Sequence, residues 1–303
     1  MTQTMMKKPR GLKRRFLLQS ALVALLSSPL ATYLTHAEGT EAKRVLAIGG
    51  AVTEIVYALG EQDRLVGRDS TSSYPPEATA LPDVGYIRAL SPEGVLSVKP
   101  DLILARENNG PPEAVEVLRS TGVRWVDVAD DFTLAGISEN IAIIAAELGV
   151  PEKGEALKKK VAADIARARA KLASIERRHK VMFVLALTDD KVNAAGKNTA
   201  AGNIVELAGG DNVITEFSGY KQISNEAVIE AAPEVIVMMN GRGDSGDHQS
   251  PNALLEAHPA LSMTPAVRNG RIIRMDGLLL LGFGPRTGEA ISKLADAFYG
   301  HEH

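Results

Sequence analysis

The chain has 303 residues, of which 34 are basic and 37 acidic, and it contains no cysteine. Without thiols it can form neither a disulfide nor a thiolate metal site, and it lacks a cysteine for lipidation. The acidic excess argues against nucleic acid and against an anionic membrane surface as partner.

The first 37 residues are typical of a secretory signal peptide. Six basic residues precede an apolar run at residues 16–26, and Thr35-His36-Ala37 supplies a small-x-small cleavage signal. A membrane anchor is the alternative, but the run is short for a bilayer about 30 Å thick. Removing the segment leaves 266 residues (303 minus 37) and a net charge of about −9 (28 minus 37). We therefore expect cleavage after Ala37 and a soluble monomer in the periplasm.

Strands alternate with helices between residues 44 and 150. Strands are predicted at Val45–Ile48 and at residues 65–67, 101–105 and 123–128, with helices at residues 53–59, around Val95 and at residues 137–148. This alternation is typical of a mostly parallel sheet covered by helices. Residues 38–150 are therefore predicted to form an N-terminal α/β lobe.

The next segment has a helical pattern without interruption. Apolar residues recur there at three- and four-residue spacing, at Leu157, Val161, Ile165, Ala168 and Leu172. The pattern predicts one helix over residues 152–178, about 27 residues and about 40 Å long. Residues 151–178 are thus predicted to form a rigid helix that connects two lobes.

The alternation restarts after this helix. Strands are predicted at residues 181–187, Val235–Met239 and 271–275, with helices at residues 200–208 and Thr287–Tyr299. Residues 179–303 are therefore predicted to form a second α/β lobe.

The two halves contain a faint internal repeat. Residues 90–104 align without gaps with residues 223–237, at an offset of 133 residues, and Gly85-Tyr86 and Gly219-Tyr220 precede the two blocks. A chance match between two common strand-helix units is the alternative. The additional Gly-Tyr pairs favour two homologous lobes, with a ligand cleft between them.

Tyr86 and Arg88 are the candidate ligand-binding residues of the first half. In an extended segment their side chains point to the same side, and a nearby guanidinium favours the phenolate form of tyrosine. A phenolate is a suitable ligand for ferric iron, including haem iron. The alternative is a tyrosine that packs at the edge of a loop beside a solvated arginine. No nucleophile motif or clustered set of histidines predicts an enzyme.

Motifs spread over nearly the whole chain carry a family resemblance, and the most specific is Asp-Val-Gly-Tyr-x-Arg at residues 83–88. The others lie at residues 48–50, 53–55, 67–72, 195–200, 208–212 and 280–284. With these motifs the chain resembles the haem-binding periplasmic proteins of bacterial haem ABC importers, within the siderophore and vitamin B12 binding-protein superfamily. The resemblance implies two Rossmann-like lobes with mostly parallel sheets, joined by one long rigid helix, as in class III periplasmic binding proteins.

The resemblance also assigns roles to individual residues. Tyr86 is implied to be the axial ligand of haem iron, with Arg88 supporting its phenolate and Arg242 facing the haem. Some relatives carry a second histidine ligand after the first strand of the second lobe, but residues 184–189 contain none. A single protein ligand and five-coordinate ferric haem are therefore expected, with Tyr220 as the reserve ligand.

Glu93 and Glu226 occupy equivalent positions in the repeat. Locally, each is a carboxylate in the first turn of a helix, where the helix dipole favours negative charge. The resemblance implies that they dock onto arginines of an inner-membrane ABC permease and ATPase complex. A corrinoid or a ferric siderophore is the alternative cargo on the same fold.

Overall fold

The computed structural model describes residues 42–188, 191–240 and 252–300. The predicted signal peptide and Arg242 lie outside the described residues. The strands of the described part are Val45–Ile48 (β1), Leu65–Arg68 (β2), Leu102–Arg106 (β3), Arg124–Val128 (β4), Lys180–Thr188 (β5), Lys191–Ala195 (β6), Asp211–Asn212 (β7), Tyr220–Ile223 (β8), Val235–Met239 (β9) and Ile272–Met275 (β10).

Helices follow most of these strands, as the alternating sequence pattern predicts. They are Gly50–Ala58 (α1), Pro92–Ser97 (α2), Pro112–Ser120 (α3), Leu134–Glu147 (α4), Pro151–Ala170 (α5), Ala200–Leu207 (α6), Asn225–Ala231 (α7), Ala253–Ala257 (α8), Pro265–Arg268 (α9), Gly277–Leu281 (α10) and Thr287–Tyr299 (α11).

The first lobe is built on a four-stranded sheet in the order β2-β1-β3-β4, and all its pairings are parallel. Every residue of the central strands β1 and β3 is buried. Burial on both faces explains why these strands read as continuous apolar runs rather than as an alternating pattern. The predicted parallel sheet is confirmed here.

The second lobe has a mixed sheet in the order β10-β9-β5-β6-β8, and the short β7 also pairs with β5. Strands β9 and β10 are parallel to β5, whereas β6 is antiparallel to both of its neighbours, β5 and β8. The sequence did not predict these antiparallel pairings. Three of the four residues of β8 are exposed and two are polar, so the strand lacks the apolar signal of a core strand.

Helix α5 connects the lobes but is shorter than predicted. It has 20 residues rather than about 27 and ends at Ala170, which corresponds to about 30 Å. Beyond it the chain turns, and Arg177 and Arg178 form ion pairs with Glu234 and Asp211 at the entry to β5. These tertiary contacts override a sequence that favours helix as far as residue 178.

Helix α5 packs against α4 of the first lobe and α11 of the second. One hydrophobic cluster includes Leu102 of the first sheet, Val161 of α5 and Phe183 of the second sheet. Because a close-packed core resists deformation, a continuous core of this kind restrains the lobes from moving apart. The predicted two-lobed architecture with a helical connection is confirmed.

The internal repeat is also visible in the fold. Ser91 caps α2 by accepting the Gly94 N–H at 3.0 Å, and Ser224 caps α7 by accepting the Ala227 N–H at 3.2 Å. The strand that follows begins at Leu102 in one lobe and at Val235 in the other, again 133 residues apart.

Candidate functional site

Tyr86 lies in the loop between β2 and α2, directly after Gly85. Gly85 has a φ of +104°, a conformation that glycine adopts without steric cost. The tyrosine side chain is 46% exposed, which is high for a large aromatic group. Its phenol forms no hydrogen bond with any residue in the described part of the chain. The hydroxyl is therefore available to an external ligand.

Backbone hydrogen bonds hold this loop on both sides of Tyr86. The Gly85 carbonyl accepts the Ser70 N–H at 2.9 Å, and the Ile87 carbonyl accepts the Gly110 N–H at 2.9 Å. The Ala89 N–H donates to the Tyr86 carbonyl at 2.7 Å and closes a turn. The exposed phenol thus projects from an ordered backbone.

Tyr220 is the corresponding tyrosine of the second lobe, and it follows Gly219, which has a φ of +83°. Its side chain is 37% exposed. Burial of the phenol raises the pKa of Tyr220, although hydrogen bonds with the Ala201 N–H and the Thr199 side chain and the charge of Arg88 act to lower it. The phenol therefore lies at the N-terminus of α6, where it already has hydrogen-bond partners.

Arg88 brings the two lobes into one site. It is exposed and forms no salt bridge within the described residues, yet its charge favours the phenolate of Tyr220 in the other lobe. The charge of a side chain in the Tyr86 loop therefore reaches the tyrosine at the start of β8. The effect of Arg88 on Tyr220 was not predicted from the sequence. The predicted support of Tyr86 by Arg88 stays a prediction.

The turn after β1 lies close to the Tyr86 loop and to the second lobe. A side chain at Gly49 would clash with Arg106 and approach Ile87, and one at Gly50 would clash with Leu278 of α10. The two glycines therefore let the turn after β1 approach both the Tyr86 loop and the second lobe. In parallel α/β sheets ligands bind outside the carboxyl ends of the strands, and this turn lies at such an end.

Glu93 and Glu226 are exposed in the first turns of α2 and α7. Hydrogen bonds from the Glu226 backbone N–H and from Ser224 lower the pKa of Glu226. Below each glutamate the helix is anchored by a fully buried valine, Val95 or Val228. The two carboxylates are thus presented in the same way by both lobes.

Sequence reasoning missed a set of polar contacts between the lobes. Arg286 donates to both carboxylate oxygens of the buried Glu54, at 3.0 and 2.5 Å. Arg106 donates to the Gly282 carbonyl at 3.2 Å, and Asn203 donates to the Phe132 carbonyl at 3.0 Å. One signal was available, since Glu54 is a lone charge in the apolar run of residues 51–56.

The histidines of the described part do not form a metal site. No group of three or more His, Cys, Asp or Glu side chains is placed to hold a metal ion within residues 42–188, 191–240 and 252–300. His179 is buried beside Glu234, and the His258 ring accepts the Ala260 and Leu261 N–H groups. The contacts of both histidines are therefore with groups of the fold itself.

Comparisons with known proteins agree with this fold. A family model described as periplasmic binding protein matches residues 45–278. The structure of the periplasmic haem-binding protein RhuT from Roseiflexus sp. RS-1, in its apo form, has a TM-score of 0.80 and 39% identity, over 86% of this chain and 100% of that chain. The ABC transporter substrate-binding lipoprotein YvrC of Bacillus subtilis is 27% identical over 86% of this chain and 81% of its own length. A vitamin B12-binding protein of Vibrio parahaemolyticus is 28% identical over 84% of this chain and 89% of its own length.

Two α/β lobes on one connecting helix, with a cleft between them, define a class III solute-binding protein. The chain belongs to the periplasmic binding protein family. It is a substrate-binding protein of an ABC transporter and not an enzyme. Among the described residues, none of the helices combines the length and the apolar character needed to cross a membrane.

Proposed function

We propose that this protein binds haem in the inter-lobe cleft through the phenolate of Tyr86. The observation that carries the proposal is the exposed Tyr86 phenol, which has no hydrogen-bond partner among the described residues and projects from an ordered loop. Such a phenol can give up its proton to ferric iron without breaking an internal contact. The name of the similar Roseiflexus protein supports haem as the ligand.

Arg88 and Arg242 are proposed to interact with the bound haem. Arg88 is an exposed cation without a salt bridge in the described part of the chain. It is therefore free to pair with an anionic group, either the Tyr86 phenolate or a haem propionate. Arg242, which follows β9 in the sequence, is proposed to meet the haem from the second lobe.

Tyr220 is the weaker candidate for an iron ligand. Its phenol has hydrogen bonds with Ala201 and Thr199, and burial raises its pKa. Coordination would require loss of these contacts together with the proton. We therefore propose one protein ligand, Tyr86, and five-coordinate ferric haem, with Tyr220 in reserve.

A haemin titration of the purified mature chain tests the proposal. Wild-type protein is expected to bind haemin and to give a high-spin ferric spectrum, which Tyr86→Phe should lose because phenylalanine cannot coordinate iron. Tyr57→Phe is the matched control, since Tyr57 lies in α1 and takes no part in the site. An unchanged spectrum and affinity in Tyr86→Phe would refute Tyr86 as the ligand.

A corrinoid is the second candidate ligand, with a ferric siderophore as a further possibility on the same fold. The similarity to a vitamin B12-binding protein supports it. Corrinoid binding does not need a tyrosinate, so its affinity should not depend on Tyr86. Parallel titrations with cyanocobalamin and haemin, each with wild type and Tyr86→Phe, separate the two functions.

Delivery to an inner-membrane permease and ATPase complex is proposed to use Glu93 and Glu226. Equivalent carboxylates on two lobes suit a transporter with two similar docking sites. Glu93→Lys/Glu226→Lys should abolish uptake and leave haem binding in solution intact; normal uptake would contradict the docking role.

We also propose that the chain is exported to the periplasm as a monomer, with residues 1–37 as signal peptide and with lobes at residues 38–150 and 179–303.

A further inference from the structure

Asp83 lies two residues before Gly85 in the loop that presents Tyr86, and its two carboxylate oxygens have different partners. One oxygen accepts the Gly85 backbone N–H at 2.9 Å. The other accepts Nη1 of Arg68 at 3.1 Å. The carboxylate therefore joins the glycine that sets the loop conformation to a side chain of β2.

Arg68 is a fixed anchor for this carboxylate, because its own position is determined by several contacts. Only 12% of its side chain is exposed. Its backbone carbonyl accepts the Val84 N–H at 2.9 Å, so strand and loop are paired at this point. Its guanidinium also donates to the carbonyls of Asp69 at 3.0 Å, Ala78 at 3.1 Å and Thr79 at 3.4 Å.

Because Asp83 is exposed, its loss should alter the geometry of the loop more than the stability of the whole protein. Its side chain is 41% exposed, and an ion pair with one exposed partner contributes little to the free energy of unfolding. The hydrogen bond to Gly85, in contrast, acts on the backbone one residue before Tyr86. Its main effect is therefore on the direction in which the tyrosine projects.

We propose that Asp83, held by Arg68, is a positioning residue for the Tyr86 ligand. By fixing the Gly85 amide, it fixes the direction from which the phenol reaches the iron. The inference rests on the proposed function, in which Tyr86 coordinates haem iron. Asp83→Ala removes the acceptor for the Gly85 N–H, whereas Asp83→Asn keeps an acceptor oxygen and loses only the charge that pairs with Arg68.

The first measurement needs no ligand. Hydrogen exchange of the Gly85 amide, followed by NMR in the full mature chain, should be about tenfold faster in Asp83→Ala and close to wild type in Asp83→Asn. Asp101→Ala is the matched control, because Asp101 also accepts backbone N–H groups, those of Lys43 and Arg44, each at 3.0 Å. Asp101 precedes β3, at the opposite end of the sheet from the cleft, so the control should leave Gly85 exchange unchanged.

The second measurement follows haem. Asp83→Ala should broaden the high-spin ferric spectrum and release haem to a scavenger protein about tenfold faster, with rescue by Asp83→Asn and with an unchanged unfolding midpoint. If Tyr86→Phe loses haem while Asp83→Ala retains wild-type exchange and release rates, the inference is overturned and the proposed function stands. If Tyr86→Phe binds haem normally, the proposed function itself is wrong.

Discussion

The two glycine–tyrosine pairs of this protein share a local conformation but are held in different ways. Gly85 and Gly219 both have a positive φ, and the tyrosine that follows each is exposed. In the first lobe the glycine amide is bound by the Asp83 carboxylate. In the second lobe the Gly219 amide donates to the Lys197 carbonyl, within the backbone pairing that leads into β8.

The difference shows how one repeated unit can serve two purposes. A backbone ladder depends little on side-chain identity, and it fixes Tyr220 where its phenol meets the N-terminus of α6. In the first lobe a side chain binds the glycine amide in addition to the backbone bonds of the loop, and the Tyr86 phenol has no partner among the described residues. Under the proposed function, the first lobe offers the iron ligand and the second lobe offers a fixed wall.

The largest expected effect distinguishes the two tyrosines as ligands. Tyr86→Phe should weaken haem binding about 100-fold, or about 2.7 kcal/mol. Tyr220→Phe should weaken it less than about threefold, because its phenol is already bound within the protein. Competition titrations against a haem scavenger measure both, and Tyr57→Phe controls for the loss of a hydroxyl elsewhere. The reverse order of effects would place the iron ligand in the second lobe.

The two glycines are expected to respond differently to alanine. Gly219→Ala should lower the free energy of unfolding by about 1–2 kcal/mol, because a paired strand cannot relax away from positive φ. No atom lies within 4 Å of the added methyl group, so the cost is one of backbone conformation. Gly85→Ala should in addition disturb the haem spectrum, because Gly85 has a φ of +104° directly before Tyr86.

Urea denaturation of the two variants measures the free energy of unfolding, and haemin spectra show whether the haem site is disturbed. Gly60→Ala supplies the baseline, because Gly60 has a φ of +74° and equally open surroundings far from both tyrosines. A haem spectrum disturbed by Gly219→Ala and not by Gly85→Ala would contradict the assignment of the ligand to the first lobe.

Much of the fold could be predicted because buried runs of apolar residues mark the core strands. The glycine–tyrosine repeat was likewise visible, since glycine at positive φ leaves a trace in the sequence. The edge strand β8 was missed because its exposed residues carry no such pattern. The end of α5 was missed because it depends on the ion pairs of Arg177 and Arg178 with distant residues. Local helix propensity gives no information about such contacts.

The site itself was only half predictable. Tyr86 and Arg88 were proposed from a local motif, and their role in binding stays a prediction. The effect of Arg88 on Tyr220 depends on two lobes that meet across a cleft, and no local pattern encodes that distance. The same holds for Glu54 and Arg286, which are 232 residues apart in the chain.

A smaller effect is expected from the carboxylates that follow the proline of each repeat, Asp101 in the first lobe and Glu234 in the second. Backbone and side-chain donors from Lys180, Arg177 and His179 outweigh burial and lower the pKa of Glu234 to about 2. A lowered folded-state pKa means that the stabilisation is present above the ordinary value near 4.5 and is lost as pH falls through about 2. Glu234→Gln should therefore cost about 1 kcal/mol at neutral pH and less at acid pH.

Thermal unfolding of Glu234→Gln and wild type between neutral and acid pH measures this difference. Asp101→Asn is the comparison from the first lobe, where Asp101 occupies the equivalent position and accepts two backbone N–H groups. An equal pH-dependent loss in both variants would show that the effect does not come from the Arg177 and His179 surroundings of Glu234.

The smallest expected effect tests whether the charge of Arg88 in the first lobe acts on Tyr220 in the second lobe. Because burial raises the pKa of Tyr220, its neutral phenol adds stability below the ordinary value near 10, and this is lost as pH rises through the higher folded-state value. Ultraviolet titration of wild type minus Tyr220→Phe isolates this one group. Arg88→Ala should raise its midpoint further, because a cation that favours the phenolate is removed. Arg119→Ala controls for the loss of a first-lobe arginine, because Arg119 pairs with Asp127 away from the Tyr86 loop. An unchanged midpoint in Arg88→Ala would mean that the charge of Arg88 does not reach Tyr220.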